Sequence, residues 1–212
     1  MDNPVLIFGA NALGRAAKEI FENNGNVVYG FLDDDKKLHQ KEIDNVVCLG
    51  STDDDGFLKL IGKKCEAFIA VDDIKLKKNL TEMLNDVRHV QPVNAIHNQG
   101  SMGNHVELGH GNMIDQGARI GAGVKMGSHC IIHANVVIGV GAEIGDYVNL
   151  GAGSIIGSGV KIEDEVFVGA GVTVVSDITI GKRARVGAGS VVIGQVKSGE
   201  TVFGNPAQKV NS

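Results

Sequence analysis

Five of the seven histidines lie in the second half of the chain, where they could supply a base for proton transfer or a ligand for a metal ion. They are His97, His105, His110, His129 and His133. The stretch that contains the last of them, IIHANVVIGVGAEIGDYVNLGAGS (131–154), has no Ser/His/Asp grouping and no metal-ligand spacing. Its apolar residues and glycines instead recur with a regular period. The elements that carry the histidines must therefore be identified first.

The first half predicts alternating strands and helices. PVLIF (4–8), NVVYGFLDDD (26–35) and EAFIAV (66–71) have the composition of buried strands, and the second runs into an acidic turn. A helix opened by glycine separates the first two, and DIKLKKNLTEMLNDV (73–87) is an amphipathic helix. This order predicts a parallel sheet with right-handed crossovers, in an α/β domain over residues 1–90.

The second half has a six-residue period. From Ile96 to Val192 an apolar residue recurs at every sixth position, seventeen times without an insertion. The fourth residue after each anchor is usually small or apolar as well, so that each hexad supplies one short strand and one corner. Three such faces close a triangular coil of 18 residues, stacked at the strand spacing of about 4.8 Å. The period predicts a parallel β-helix over residues 91–212, with Cys130 packed inside it.

Composition limits the class of protein. Glycine supplies 30 of 212 residues beside only three prolines, which favours repeated turns over disorder. The net charge of −5 argues against nucleic-acid binding. With no basic, apolar leader and no apolar run of about 18 residues, we expect a cytoplasmic protein that contacts no membrane. Cys48, Cys65 and Cys130 are too few and too scattered for a disulfide framework, and we expect free thiols.

Several motifs give the chain a resemblance to a known family. VKSGETVFGNPAQKV (196–210) resembles the Gly-Asn-Pro-Ala tail of hexapeptide acyltransferases. LIFGANALGRAAKEIF (6–21), GFLDDD (30–35), CLGSTDD (48–54) and QPVNAI (91–96) are similar to segments of the NeuD/PglD type of sugar O-/N-acyltransferase. The resemblance extends over essentially the whole chain. It implies a small N-terminal Rossmann-like α/β domain followed by a left-handed parallel β-helix of hexapeptide repeats, the handedness being a property of the family.

The resemblance also implies an activity. In that family the small domain binds a nucleotide-linked amino sugar, and the β-helix forms a homotrimer that binds acetyl-CoA between subunits, without a metal. An acyl group, usually acetyl, passes to an amino or hydroxyl group of the sugar in surface-polysaccharide or glycan biosynthesis. A histidine acts as the base, because a protonated amine has no lone pair with which to attack the thioester.

Carried over residue by residue, the resemblance implies two sets of contacts. The expected substrate contacts are Gly9, Ala10, Asn11, Asp33, Asp34 and Gly50, and the expected acetyl-CoA contacts are Asn149, Ala170 and Ala188. Backbone N–H groups of the first turn can meet a phosphate or a sugar. The acidic pair corresponds to residues that contact the nucleotide, and the alanines let the pantetheine arm approach the main chain. A solvated acidic turn and plain β-helix corners are the structural alternatives.

The chain departs from the family where the chemistry lies. Leu13 stands in place of a histidine of the first glycine-rich turn. Val140 and Gly141 stand where the family has its catalytic histidine and the acid beside it, and Asn149 replaces a second histidine. The unbroken register on both sides prevents a shift of the alignment that would recover the pair.

A replacement base can be sought by the 18-residue spacing. Asn149 is expected to stack on Ile131, two residues from His129, which makes His129 the predicted catalytic residue. His133, at the next corner, is the second candidate.

Three alternatives stay open. The chain could be a diverged relative without catalysis and with a binding or regulatory role. Transfer could also use an amine that is already neutral, so that positioning alone accelerates it. Some hexapeptide proteins are γ-class carbonic anhydrases with three histidines around zinc. His105 and His110 have the five-residue spacing of that site, but its third histidine would fall before the β-helix begins.

Overall fold

A computed structural model describes residues 3–210, and the chain divides into two compact units, Met1–Ala95 and Ile96–Ser212. The first unit is built on a five-stranded sheet of order β3-β4-β2-β1-β5. Its strands are β1 (Val5–Phe8), β2 (Val28–Leu32), β3 (Glu42–Ile43), β4 (Val46–Gly50) and β5 (Glu66–Ile69). Its helices are α1 (Ala12–Asn23), α2 (Asp55–Leu58) and α3 (Ile74–Met83), and a π-helical turn (Leu84–Arg88) follows the last.

The sheet is parallel except at one edge. β1 pairs in parallel with β2 and β5, and β2 with β4, while β3 pairs antiparallel with β4. β1 is buried on both faces, as its continuous apolar sequence predicts. The three predicted strands and both predicted helices are confirmed, with ends moved by a few residues. The β3–β4 hairpin and the single turn of α2 were not predicted.

Helix α1 begins where a side chain caps it. Asn11 accepts a hydrogen bond from the Gly14 N–H, and the chain leaves the helix through Gly25, whose φ is +82°. The apolar stripe of α1 faces the sheet, and Phe21 meets Phe68 edge to face with ring centroids 5.6 Å apart. The start of α1 is thereby fixed beside the end of β1.

The second unit consists of two-residue strands, each ending on a residue of the six-residue period. They are β6 (Ala95–Ile96), β7 (Ser101–Met102), β8 (Glu107–Leu108), β9 (Met113–Ile114), β10 (Arg119–Ile120), β11 (Lys125–Met126), β12 (Ile131–Ile132), β13 (Val137–Ile138), β14 (Glu143–Ile144), β15 (Asn149–Leu150), β16 (Ile155–Ile156), β17 (Lys161–Ile162), β18 (Phe167–Val168), β19 (Thr173–Val174), β20 (Thr179–Ile180), β21 (Arg185–Val186) and β22 (Val191–Val192). A hairpin of β23 (Thr201–Gly204) and β24 (Ala207–Lys209) closes the chain.

Three sheets form the faces of the coil. Face 1 has the order β22-β19-β16-β13-β10-β7, face 2 the order β20-β17-β14-β11-β8, and face 3 the order β24-β23-β21-β18-β15-β12-β9-β6. Parallel partners from β6 to β22 are 18 residues apart, as in Ile132 with Leu150, and β21 pairs with β23 at a spacing of 16. The predicted triangular β-helix and its register are confirmed.

The corners owe their regularity to backbone geometry. From Met102 to Val186, the third residue after each anchor has a left-handed φ, as in Gly141 (+68°), Tyr147 (+57°) and Gly153 (+70°). Glycine adopts this conformation without strain, and other residues at some cost, which accounts for part of the glycine content.

The core of the coil is apolar, with a few polar side chains that bond to the next coil. Asn112, Cys130 and Ser154 are buried and donate to the carbonyl oxygens of Gly127 (2.9 Å), Gly145 (3.1 Å) and Gly169 (3.0 Å). Each donor therefore has a backbone partner fifteen residues ahead, which makes the burial acceptable. Within residues 3–210, no helix is both long enough and apolar enough to cross a bilayer.

Candidate functional site

The carboxyl ends of β1, β2 and β4 bring the expected substrate contacts of the first unit together. The turn Gly9–Asn11 follows β1, the acidic pair follows β2, and Gly50 ends β4. Ligands bind at this edge in open parallel sheets, because the loops there diverge and leave a crevice. No spacing between the motifs measures this proximity directly.

The turn after β1 requires its glycine. Gly9 has φ +105°, and a β-carbon there would collide with the Ala70 carbonyl oxygen. The Asn11 side chain donates from Nδ2 to the same carbonyl (3.2 Å) while its oxygen caps α1. The turn is therefore held against the end of β5.

Asp33 ties this turn to the end of β2. Its Oδ2 accepts from the Ala10 N–H (2.8 Å) and its Oδ1 from the Asp35 N–H (2.9 Å). Its own N–H donates to the Gly50 carbonyl (2.9 Å), and its carbonyl lies 2.7 Å from His39 Nε2. Asp33 thus connects the loops after β1, β2 and β4.

Asp34 is exposed and has a different partner. Its Oδ1 accepts from both the backbone N–H (2.9 Å) and the hydroxyl (2.8 Å) of Thr52, a residue only 8% exposed. Sequence reasoning did not single out Thr52. The available signal was a hydroxyl residue in the CLGSTDD loop, opposite an acidic turn.

Aspartates give this edge a strongly acidic character. Three follow β2, three follow β4 and two follow β5. Asp54 and Asp73 cap α2 and α3 through their side chains. Burial, with a further contribution from the charge of Asp33, raises the pKa of the Cys48 thiol on β4. Leu13 is buried within the first turn of α1, so the family's histidine contact has no counterpart there.

In the second unit, the altered hexad forms the corner between β13 and β14. Val140 is 60% exposed, and Gly141 next to it has open space where a side chain would be. The corner presents an apolar side chain and bare backbone where the family places its base and acid.

Asn149 lies on the outer side of face 3, directly above Ile131, as the spacing predicts. His129 is at the corner that precedes Ile131. The residue is 5% exposed, and its ring stacks on Tyr147, with centroids 4.9 Å apart and an interplanar angle of 18°. The structure thus brings His129 near the column of Asn149 but encloses its ring, and its catalytic role stays a prediction. His133 is half-buried at the next corner.

Ala170 and Ala188 occupy equivalent exposed corner positions between faces 3 and 1. Ala152 and Ala134 continue their column at the same 18-residue spacing, which the sequence could have shown. A β-carbon on Gly151 would collide with the backbone nitrogen of Ala170, so the coils approach closely here. The column is a smooth strip with accessible main chain.

Charged side chains lie on face 2 of the β-helix and on the corner beside it. A groove of about 770 Å³ follows face 2 and is lined by alternating Glu107, Lys125, Glu143 and Lys161, but by none of the expected contacts. Beside it, the hydrogen bond from Lys182 Nζ (3.0 Å) lowers the pKa of Asp164. Among residues 3–210 no cluster of three or more His, Cys, Asp or Glu has the arrangement of a metal site.

Comparisons with known proteins agree with this arrangement. The model of the PglD N-terminal domain matches residues 4–84. The model of the bacterial transferase hexapeptide (six repeats) matches residues 105–140, 141–175 and 159–194. No curated protein sequence matches the chain.

Solved structures extend the similarity to the whole chain. A histidine-to-asparagine variant of a perosamine N-acetyltransferase from Caulobacter crescentus, in complex with CoA and GDP-perosamine, superposes with a TM-score of 0.91 at 26% identity, covering 100% of this chain and 99% of that one. The acetyltransferase domain of PglB from Neisseria gonorrhoeae has a TM-score of 0.87 at 21% identity and coverages of 99% and 100%. WeeI from Acinetobacter baumannii has a TM-score of 0.86 at 22% identity, covering 98% of this chain and 99% of that one. The similarity to PglB and WeeI shows the fold alone.

These similarities confirm the left-handed β-helix and the α/β domain before it. The chain thus combines a PglD N-terminal domain with bacterial transferase hexapeptide repeats in a left-handed β-helix, an arrangement similar to that of the NeuD/PglD type of sugar acyltransferase.

Proposed function

We propose that this chain transfers an acyl group, with acetyl as the first candidate, from acyl-CoA to an amino or hydroxyl group of a nucleotide-linked sugar. The observation that carries the proposal is the end-to-end superposition on a perosamine N-acetyltransferase complexed with CoA and GDP-perosamine. Both compact units take part in that match, so it covers more than a shared β-helix.

Each unit has a place in the proposed reaction. The edge formed by Gly9–Asn11, Asp33, Asp34 and Gly50 is the proposed nucleotide-sugar site of the first unit. The strip of Ala170 and Ala188 beside Asn149 is the proposed acetyl-CoA site of the second. The acceptor attacks the thioester carbonyl, the carbon–sulfur bond breaks, and the acceptor's proton leaves with the CoA thiol or on a base.

Two observations about His129 bear on the identity of the base, and they point in opposite directions. His129 is near Asn149 in register, but its ring is enclosed against Tyr147. A ligand would reach it only after the corner shifts. Transfer to an amine that arrives neutral needs no such movement, since an ordered pair of reactants gains from proximity alone.

Acetyl-CoA consumption and thiol release, measured with a panel of UDP-, GDP- and dTDP-linked amino sugars, test the activity. No turnover across the panel would overturn the proposal. His129→Phe keeps a ring on Tyr147 but accepts no proton. If His129 is the base, this variant is inactive, whereas base-free transfer keeps its rate and accelerates with rising pH until the amine is fully neutral.

We also propose a homotrimer, supported by exposed apolar side chains on face 1 and its corner with face 2. Ile155 is 48% exposed and Ile193 is 61% exposed, and Val140 lies on the same side. Apolar patches of this kind mark contact surfaces. Sedimentation measurements give the state directly, and a monomer would contradict this part.

A second candidate is a relative that binds the same ligands without catalysis, favoured by Val140, Gly141 and Asn149 in the altered positions. Calorimetry with acetyl-CoA separates the two. Binding of acetyl-CoA and nucleotide sugar without turnover supports the second candidate, and turnover excludes it.

A further inference from the structure

The two aspartates after β2 differ in how their oxygens are used. Both carboxylate oxygens of Asp33 accept backbone N–H bonds, and its N–H and carbonyl have partners as well. Asp34 uses only Oδ1, for Thr52, and among residues 3–210 no hydrogen bond to its Oδ2 is present. Asp33 is therefore committed to the fold, and Asp34 has an acceptor left for a ligand.

Thr52 determines where that acceptor points. Two donors from one residue, the backbone N–H and the hydroxyl, converge on a single oxygen of Asp34. An exposed aspartate ordinarily samples several rotamers, and holding it in one geometry removes that entropic cost from binding. Thr52 is itself 8% exposed, so it is anchored by packing and acts through Asp34.

Asp33 also determines what this edge excludes. The N-terminus of a helix preceded by a glycine turn attracts phosphate through free N–H groups. Here the Ala10 N–H already donates to the Asp33 carboxylate at 2.8 Å. A phosphate at that place would displace the carboxylate or lie against its charge, with Asp34 and Asp35 beside it.

The geometry points to the following division of roles, which rests on the proposed function. Thr52 is a positioning residue that aims Asp34 Oδ2 at an uncharged N–H or O–H donor of the nucleotide, on its base or its ribose. Asp33 is a structural clamp that keeps the nucleotide's phosphates away from the start of α1. The edge thus binds the nucleoside part of the ligand.

The test measures binding constants by calorimetry, with UDP, GDP and dTDP as probes. For whichever nucleotide binds the wild-type protein, Thr52→Val raises Kd about tenfold, because one of the two bonds to Asp34 is lost while size is kept. Thr52→Ser restores the hydroxyl and returns Kd to within about threefold of wild type. Asp34→Ala raises Kd more than Thr52→Val does. Inorganic pyrophosphate does not compete with the nucleotide.

Controls separate positioning from general damage. Thr81→Val removes a comparable buried hydroxyl, which donates to the Lys77 carbonyl (2.8 Å) on α3, and leaves nucleotide Kd unchanged. Acetyl-CoA affinity is unchanged in all Thr52 and Asp34 variants.

Four outcomes overturn the inference. They are an unaltered Kd in Thr52→Val, failure of Thr52→Ser to restore it, competition by pyrophosphate, and no binding of any of the three nucleotides to the wild-type protein. Nucleotide binding with the expected variant pattern but no acyl transfer would instead contradict the proposed function alone.

Discussion

The carboxyl edge of the first unit and the corners of the β-helix are organised in opposite ways. At the edge, Asp33 and Asp34 are held by side-chain hydrogen bonds to Ala10 and Thr52, and no period relates these residues. At the corners, position follows from an 18-residue repeat and a left-handed φ, and most of the side chains are small. The edge depends on residue identity, whereas the corners depend on backbone geometry.

This difference explains where divergence is tolerated. A hydrogen-bonded edge loses its shape when one member changes, because the remaining polar groups lose their partners. The side chain of the second residue after an anchor, such as Val140, points into solvent. A corner of the β-helix therefore keeps its shape when this residue changes. Val140 can therefore replace a catalytic side chain without harm to the fold, and the repeat preserves the architecture while the chemistry changes.

The largest expected effect tests the claim that backbone geometry controls the corners. Gly151→Ala places a methyl group against the Ala170 backbone nitrogen and should destabilise the protein by about 3 kcal/mol. Gly153→Ala, two residues on, meets open space and carries only the cost of a left-handed φ, about 1 kcal/mol. Thermal and denaturant unfolding of the two variants measure the contrast. Equal destabilisation would refute the role of close coil approach.

The next prediction tests whether the altered corner has lost only its chemistry. Val140→His with Gly141→Glu supplies a proton acceptor and an acid on an exposed corner that has open space for both side chains, at the cost of a side chain on the left-handed φ of position 141. If the chain transfers acyl groups slowly for want of a base, the double variant should raise the turnover rate at least about tenfold. Val140→Phe with Gly141→Gln, of similar volume, is the control and should give no gain. An unchanged rate in the double variant would place the limitation elsewhere.

How far the sequence predicts this molecule depends on the same contrast. The hexads place Ile132 under Leu150 correctly because a six-residue period cannot slip without exposing the whole core. Short pairings such as β3–β4 leave no periodic signal, and Thr52 acts through a contact eighteen residues away in an irregular loop. The 18-residue register places Tyr147 next to His129, but only the burial in the structure shows that this stacking encloses the His129 ring. Roles in the candidate site therefore come from contacts that no local pattern encodes.

A smaller effect is expected when Asp33 and Asp34 are compared by their contributions to the free energy of unfolding. Asp33→Ala leaves the Ala10 and Asp35 N–H groups without their partner and should cost about 1.5 kcal/mol of unfolding free energy. Asp34→Ala takes the acceptor from the N–H and hydroxyl of Thr52, but the carboxylate is exposed and water can take its place, so this variant should cost less, about 1 kcal/mol. Denaturant unfolding distinguishes them. A reversed order would mean that Asp34, and not Asp33, holds the edge together.

The smallest effect concerns the charged corner of the β-helix, where a side-chain bond does supplement the backbone. The hydrogen bond from Lys182 holds the pKa of Asp164 below its usual value, so the pair stabilises the folded state at pH values above the unfolded pKa of about 3.9. That contribution is lost as the pH falls through the lowered folded-state pKa. Because both side chains are largely exposed, Lys182→Gln should cost at most about 1 kcal/mol at pH 7, and the cost should shrink towards pH 2. Lys161→Gln, which breaks a looser 3.7 Å pair with Glu143, should cost less at pH 7. A Lys182→Gln deficit in thermal stability that stays constant from pH 7 to pH 2 would show that the pairing with Asp164 is not its source.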